Sequence, residues 1–103
     1  MTPRFHPLRV AEIRRETPDC VSLKFEVPAE VANDFRFMQG QHIGLRAILD
    51  GEELRRSYSV CSGCDDDELR VAVKKVAGGR FSIWVNDELK PGDAIDVLTP
   101  EGR

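Results

Sequence analysis

The sequence contains no uninterrupted apolar run longer than a few residues, whereas a helix that crosses a bilayer needs roughly 20. A membrane-spanning helix is thereby excluded. It also lacks an excess of positive charge: fifteen Lys and Arg stand against eighteen Asp and Glu, for a formal charge of -3. That leaves no electrostatic footprint for nucleic acid. The opening "MTPRFHPLRV" lacks the apolar stretch of a secretory signal. Three cysteines, Cys20, Cys61 and Cys64, make an odd number, where a secreted disulfide framework usually has an even one. A reduced, cytoplasmic setting is expected. Internal repeats and low-complexity stretches are missing too. What remains is a chain of 103 residues, 41% hydrophobic and 32% charged, which is enough for one domain and too short for two.

Hydrophobic periodicity then decides the fold class. Val21, Leu23, Phe25 and Val27 alternate with polar residues, as do Ile43, Leu45, Ala47 and Leu49, and a period of two marks strands with one buried face. "DGEE" at 50–53 supplies a hairpin turn, because Asp-Gly tolerates positive backbone angles. Leu54 to Cys61 follows as the partner strand, "CDDDE" as an acidic loop, and Leu69 to Val76 as a valine-rich strand. Phe5 to Arg15 and Ala94 to Leu98 bring the total to about six strands. One segment reads as helix: in "RFSIWVNDELK", residues 80–90, Phe81, Trp84, Val85 and Glu88 or Leu89 fall at helical spacings, and Lys90 suits the negative end of the dipole. "KPGD" ends it. Ala29 to Asp34 offers a further helical turn. Short strands with turns between them predict an all-β sandwich or barrel with one capping helix.

Two stretches carry chemistry. In "RRSYS", Arg56, Tyr58 and Val60 fall on one face of the strand, with Arg55, Ser57, Ser59 and Cys61 on the other. A guanidinium fork can grip a phosphate and an aromatic ring can cover a planar group. A surface arginine beside a half-buried tyrosine is also a common strand feature. In "AGGRFS", Gly78 and Gly79 permit close backbone approach and open a helix whose unpaired amides favour an anion, with Ser82 adding a hydroxyl in the first turn. A Gly-Gly before a helix can equally be only a tight turn.

"RSYS" at 56–59, "VAVKKVAGGRFSIWV" at 71–85 and "KPGDAIDVLTPEG" at 90–102 resemble, in order and spacing, the FAD-binding domain of the ferredoxin-NADP reductase superfamily over essentially the whole chain. Within it, "FRFMQGQHIGLRAILDGEELRR" is most similar to the reductase components of oxygenases, including those of aromatic (phenylacetate) degradation. The resemblance implies a six-stranded antiparallel Greek-key barrel with one short capping helix, occupying residues 1–103. It implies FAD as cofactor, with Arg56 on the phosphates, Tyr58 on the flavin and ribityl chain, and Ser59 near the reactive N5 as the catalytic group. Ser57 belongs to the same cofactor strand. Val73 and Lys74 would contact the cofactor largely through backbone, Gly79 and Ser82 would hold the pyrophosphate, and His42 stands where relatives often carry tyrosine.

In the family a nicotinamide-binding domain follows, and some members add a [2Fe-2S] domain. This chain stops where the second domain would begin, and it holds no Gly-x-Gly-x-x-Gly fingerprint or cysteine cluster of iron-sulfur spacing. A domain taken from a longer NAD(P)H-dependent reductase is the expectation, with an iron-sulfur domain or oxygenase as electron acceptor and little use of NADH by the fragment alone. One departure is Gln39 in "QGQ", where relatives usually read Pro-Gly-Gln. The Cys61-x-x-Cys64 spacing fits a redox pair or half a zinc site, but no second pair follows and the thiols leave a strand for an acidic loop. Accidental spacing and no metal site are expected, and the "DDD" run reads as a solvated turn.

Overall fold

The computed structural model describes residues 5–35, 41–61 and 68–99. Six strands, β1 (Phe5–Thr17), β2 (Cys20–Glu26), β3 (His42–Leu49), β4 (Glu52–Ser59), β5 (Leu69–Lys74) and β6 (Ala94–Leu98), form one antiparallel sheet, with a helix α1 (Arg80–Asp87) before the last strand. The spatial order is β4-β3-β6-β1-β2-β5, so β2 to β3 and β5 to β6 are crossovers of the Greek-key kind. The sheet curls until its two edges face each other. Among the described residues they join only at a Val60–Val71 bridge and a bond from the Cys61 amide to the Arg70 carbonyl (2.9 Å). The result is the expected antiparallel barrel, with an open seam between β4 and β5.

Alternation fills the interior. Leu23, Leu45, Val71, Val73, Val85 and Val97 are fully enclosed, and Phe81 plugs the helical end of the same core. β1 turns a barrel corner: its first half pairs with β6 and the rest with β2, with register shifts at Val10/Glu12 and Arg15/Thr17. Such irregularities let one strand serve two neighbours at an angle. At the β3–β4 hairpin, Asp50 and Gly51 both have positive φ (53° and 81°), the paired left-handed geometry that matches strand twist.

Several boundaries differ from the sequence reading. The 50–53 turn contracts to Asp50–Gly51, because a two-residue turn puts Glu52 opposite Leu49 and Glu53 opposite Ile48. β1 runs on to Thr17 and β5 stops at Lys74. The segment Ala29–Phe35 is a 3-10 helix. α1 ends at Asp87, where the amides of Glu88 and Leu89 both close on the Trp84 carbonyl. Lys90 therefore lies past the helix end, its amide bonded to the Asp93 carboxylate (2.9 Å) in the turn before β6. The readings of Gln39, Cys64 and Asp65–Asp67 fall outside the described residues.

One outward-facing side chain is nearly as buried as the core. Arg70 is 6% exposed between the inward-pointing Leu69 and Val71. It donates to Ser22 Oγ (2.9 Å), to Glu12 and to Glu68 (3.3 Å), and Ser22 Oγ in turn donates to Glu16 (2.7 Å). A buried guanidinium persists only when its donors are met in this way.

The bond from Arg70 holds the carboxyls of Glu12 and Glu68 below the usual glutamate value of 4.5. A carboxyl whose folded pKa is depressed adds stability above its unfolded pKa, and that contribution is lost as pH falls through the folded value. The urea midpoint should therefore drop between pH 6 and pH 3, and Glu12→Gln with Glu68→Gln should flatten that drop. An unchanged slope in the double variant would remove the network from the acid response.

Candidate functional site

β4 is an edge strand. Beyond the Val60–Val71 bridge, its outer side has no strand partner among the described residues. Along it, Leu54 and Val60 point into the core, with Arg56 and Tyr58 between them on the same face, opposite Leu45 and Ile43. Arg56 is exposed, and its Nη1 donates only to the neighbouring Arg55 carbonyl (2.7 Å). The other described arginines all have a side-chain partner within 4 Å, from Arg9 on Glu26 (3.9 Å) to Arg46 on Asp96, Arg55 on Glu53 and Arg15 on Asn86 (each 2.9 Å). Among the described residues Arg56 alone keeps its guanidinium fork for something else, and an oxyanion is what that fork matches.

Tyr58 is half-buried, and its ring lies nearly parallel to Phe81 of α1, with centroids 6.1 Å apart and planes at 24°. The helix thus fixes the orientation of an aromatic surface at the seam. Burial pushes the Tyr58 phenol up, with Arg56 opposing in part, so the hydroxyl stays a neutral donor. Ser57, Ser59 and His42 lie on the opposite face, where Ser59 pairs with His42 and Ser57 with Gly44. All three side chains are exposed. The predicted residues therefore divide between two faces of one strand, and a ligand meets both sets only by lying along the β4 edge.

Across the seam, Lys74 is exposed at the end of β5 and Val73 is fully buried, its carbonyl taking the Asn86 amide (3.1 Å). The Val73 side chain belongs to the core and is closed to a ligand. The helix start beyond it is tightly built. Gly78 has φ of 76°, the left-handed conformation that glycine adopts without cost. Gly79 is required by space instead: a Cβ there would meet Ser82 Oγ at 2.8 Å and the Val76 carbonyl at 3.1 Å. Ser82 is 6% exposed; its hydroxyl accepts from the Val76 amide (3.0 Å) and donates to the Gly79 carbonyl (3.1 Å). The hydroxyl thus braces the turn. No side chain caps the helix, so the amides of its first turn have no partner within it, an arrangement that suits an anion.

Asn86 has no counterpart among the residues singled out from the sequence. It is buried one turn after Ser82, donates to the Val73 and Ser82 carbonyls, and accepts from Arg15 at Oδ1 (2.9 Å) and at its own carbonyl (2.8 Å). It pins α1 to β5 and β1 and so positions the helix start. A polar residue four after Ser82 and three before Leu89, at helical spacing from both, is the signal that the sequence holds for it. Cys20 and Cys61 are free thiols, and partial desolvation pushes the Cys61 thiol up, with Arg70 opposing in part.

The chain matches the family model described as the oxidoreductase FAD-binding domain over residues 7–103. It is 44% identical over 99 residues to a component of the 1,2-phenylacetyl-CoA epoxidase of Escherichia coli (strain K12), covering 96% of this chain and 28% of that protein. The fold superposes on the flavohem-like FAD/NAD binding domain of nitric oxide dioxygenase from Vibrio cholerae with a TM-score of 0.80 and 25% identity, covering 94% of this chain and 44% of that one. It is similarly close to phthalate dioxygenase reductase, a modular structure for electron transfer from pyridine nucleotides to [2Fe-2S], with a TM-score of 0.74, 26% identity, and 96% and 30% coverage. The chain spans less than half the length of each of these proteins.

Because the Cβ added by Gly79→Ala would strike the Ser82 hydroxyl, the substitution should cost about 1–3 kcal/mol, the usual range for overpacking. Ser82→Ala should recover part of that cost in the double variant. A double-mutant cycle on urea unfolding measures the coupling; strictly additive losses would show that the two residues do not share the turn.

Proposed function

Since this chain belongs to the oxidoreductase FAD-binding domain family, we propose that it seats FAD along the open seam between β4 and β5. The observation that carries this reading is the unpaired Arg56 guanidinium beside the half-buried Tyr58 ring, with the uncapped start of α1 close by. The residues present fit the group: a cationic fork and a backbone cradle for phosphate, a fixed aromatic face for the ring system, and hydroxyls on the strand edge.

Arg56 and the amides of Arg80 to Ser82 would take the pyrophosphate. Tyr58, backed by Phe81, would orient the isoalloxazine and keep water from one side of it. Ser59 would hold a hydrogen bond at the flavin's reactive edge, with Ser57, His42 and the backbone at Val73 and Lys74 completing the contacts. When bound, FAD supplies the redox chemistry, taking electrons in pairs and releasing them singly. The polypeptide binds, orients and excludes water.

The relatives that share this domain are longer, and their names describe reductases and oxygenase components. We therefore propose that the domain works within an NAD(P)H-dependent reductase, passing electrons from a nicotinamide-binding domain to a [2Fe-2S] centre or an oxygenase. The likeness to the phenylacetyl-CoA epoxidase component favours aromatic, phenylacetate degradation. Free thiols at Cys20 and Cys61 suit a reducing, cytoplasmic location.

Titration of the purified chain with FAD should show saturable binding by flavin fluorescence and a raised Tm. Arg56→Ala should weaken FAD by about ten- to hundredfold, the consequence of losing about 1.5–3 kcal/mol from a charged hydrogen bond. Ser59→Ala should leave affinity near the parent value while slowing flavin reduction in a chain joined to its nicotinamide domain, because its bond matters most as the flavin changes charge. A chain that neither binds FAD nor gains stability from it would overturn the reading in favour of a non-redox binding barrel.

A further inference from the structure

The tip of the β3–β4 hairpin stands off from the outer face of α1. Between them lies a cavity of about 480 Å³, with Ile48, Leu49, Ile83 and Trp84 as apolar walls, and Ile48 at the tip is 71% exposed. One side chain spans the gap. From the first residue of α1, Arg80 reaches back to Glu52, to the Leu49 carbonyl (3.0 Å) and to Asp50 (3.6 Å). Among the described residues no other side chain of the helix bonds to the hairpin: Ser82, Asn86 and Asp87 turn to the helix start, β5, Arg15 and Lys75. We propose that Arg80 is a latch that holds the hairpin tip to the helix start across this cavity, and that its release sets the rate at which the flavin dinucleotide enters and leaves the seam. The control of exchange rests on the FAD reading above.

Three observations carry the latch. The first is the way the slot between β4 and α1 is held. Its two sides are joined at two points, Tyr58 against Phe81 and Glu52 on Arg80, about 20 Å apart along β4 at the usual rise per strand residue. Arg56 lies between them, so a ligand seated there is released when one point opens. The second is the inequality of the two points. Phe81 is 1% exposed and held in the core, whereas the side chains of Arg80, Glu52 and Asp50 are 45%, 60% and 96% exposed. Exposed ion pairs are weak and screened by salt, so the Arg80 end opens first. The third is the cavity itself. Lifting the tip breaks few packed contacts, because the space between its apolar side chains and those of α1 is already open. The tip also moves as a unit, since Asp50 and Gly51 close a tight turn in which Leu49 stands opposite Glu52.

Two measurements test this. Amide hydrogen exchange on the free chain reads the motion with no ligand present: Arg80→Met should speed exchange at residues 49–52 about three- to fivefold, the range open to an exposed ion pair. Amides of β1 and β2 should exchange as in the parent, and the Tm should stay close to the parent value. Displacement of FAD from the loaded chain reads the consequence. Its dissociation rate should rise by a similar factor in Arg80→Met and in Glu52→Ala, and about 1 M salt should narrow the difference between parent and variants. Glu52→Ala supplies the sign that separates a latch from a cation serving only the phosphates, since freeing Arg80 from Glu52 would then slow the loss of FAD. Slower or unchanged loss in Glu52→Ala would overturn the control of exchange, and parent-like hydrogen exchange in Arg80→Met would overturn the latch itself. A parent chain that binds no FAD would overturn the flavin reading and the control of exchange together, with the latch still decided by hydrogen exchange.

Discussion

The position of α1 across the open seam is the constraint on which the rest of the structure depends. A barrel whose edges meet, among the described residues, only at Val60–Val71 and the adjoining Cys61–Arg70 bond would expose its core along β4 and β5, and the helix covers that gap. It is fastened at three places. Arg80 ties its first residue to the hairpin tip, Phe81 lies against Tyr58 in the core, and Asn86 locks its last turn to Val73 and Arg15. The same fastening creates the site. Were the seam closed by a full ladder, β4 would present no edge, and were the helix loose, neither the Tyr58 ring nor the amide cradle would have a fixed direction.

The distribution of arginines follows the same logic. On the outer wall Arg46, Arg55 and Arg70 are neutralised by carboxylates, and two of them also flank the Phe5 ring, at 4.0 Å for Arg46 and 5.3 Å for Arg55. These serve the fold. Arg56, next in sequence to Arg55, faces the other way by strand alternation and keeps its charge free at the seam. Adjacent identical residues thus take opposite roles because of the pleat alone.

Local signals in the sequence locate most of this architecture. Ala94–Leu98 matches β6 at both ends, Asp50-Gly51 turns the hairpin, and Gly78-Gly79 opens the helix. Each depends on neighbours in the chain. What the sequence hides depends on partners far away: Arg70 meets Glu12 across 58 residues and Arg15 meets Asn86 across 71. No periodicity encodes such pairs, so a buried arginine reads as an ordinary strand residue. The helix end differs for a related reason, since Leu89 continues the apolar pattern but reaches the core after the helix has stopped. The cavity beside Trp84 is equally hidden, because it forms only where the hairpin tip meets a helix about thirty residues further along the chain.

The flavin site is formed by the β4–β5 seam and the start of α1 together, and that claim is the centre of the account. The most direct measurement is amide chemical-shift mapping of the labelled chain on addition of FAD. The account predicts that the largest shifts fall at Arg56 to Ser59 and at Gly78 to Ser82, while the outer wall around Ser22 and Arg70 stays unmoved. Shifts concentrated on that outer wall, with the seam and helix start silent, would contradict it.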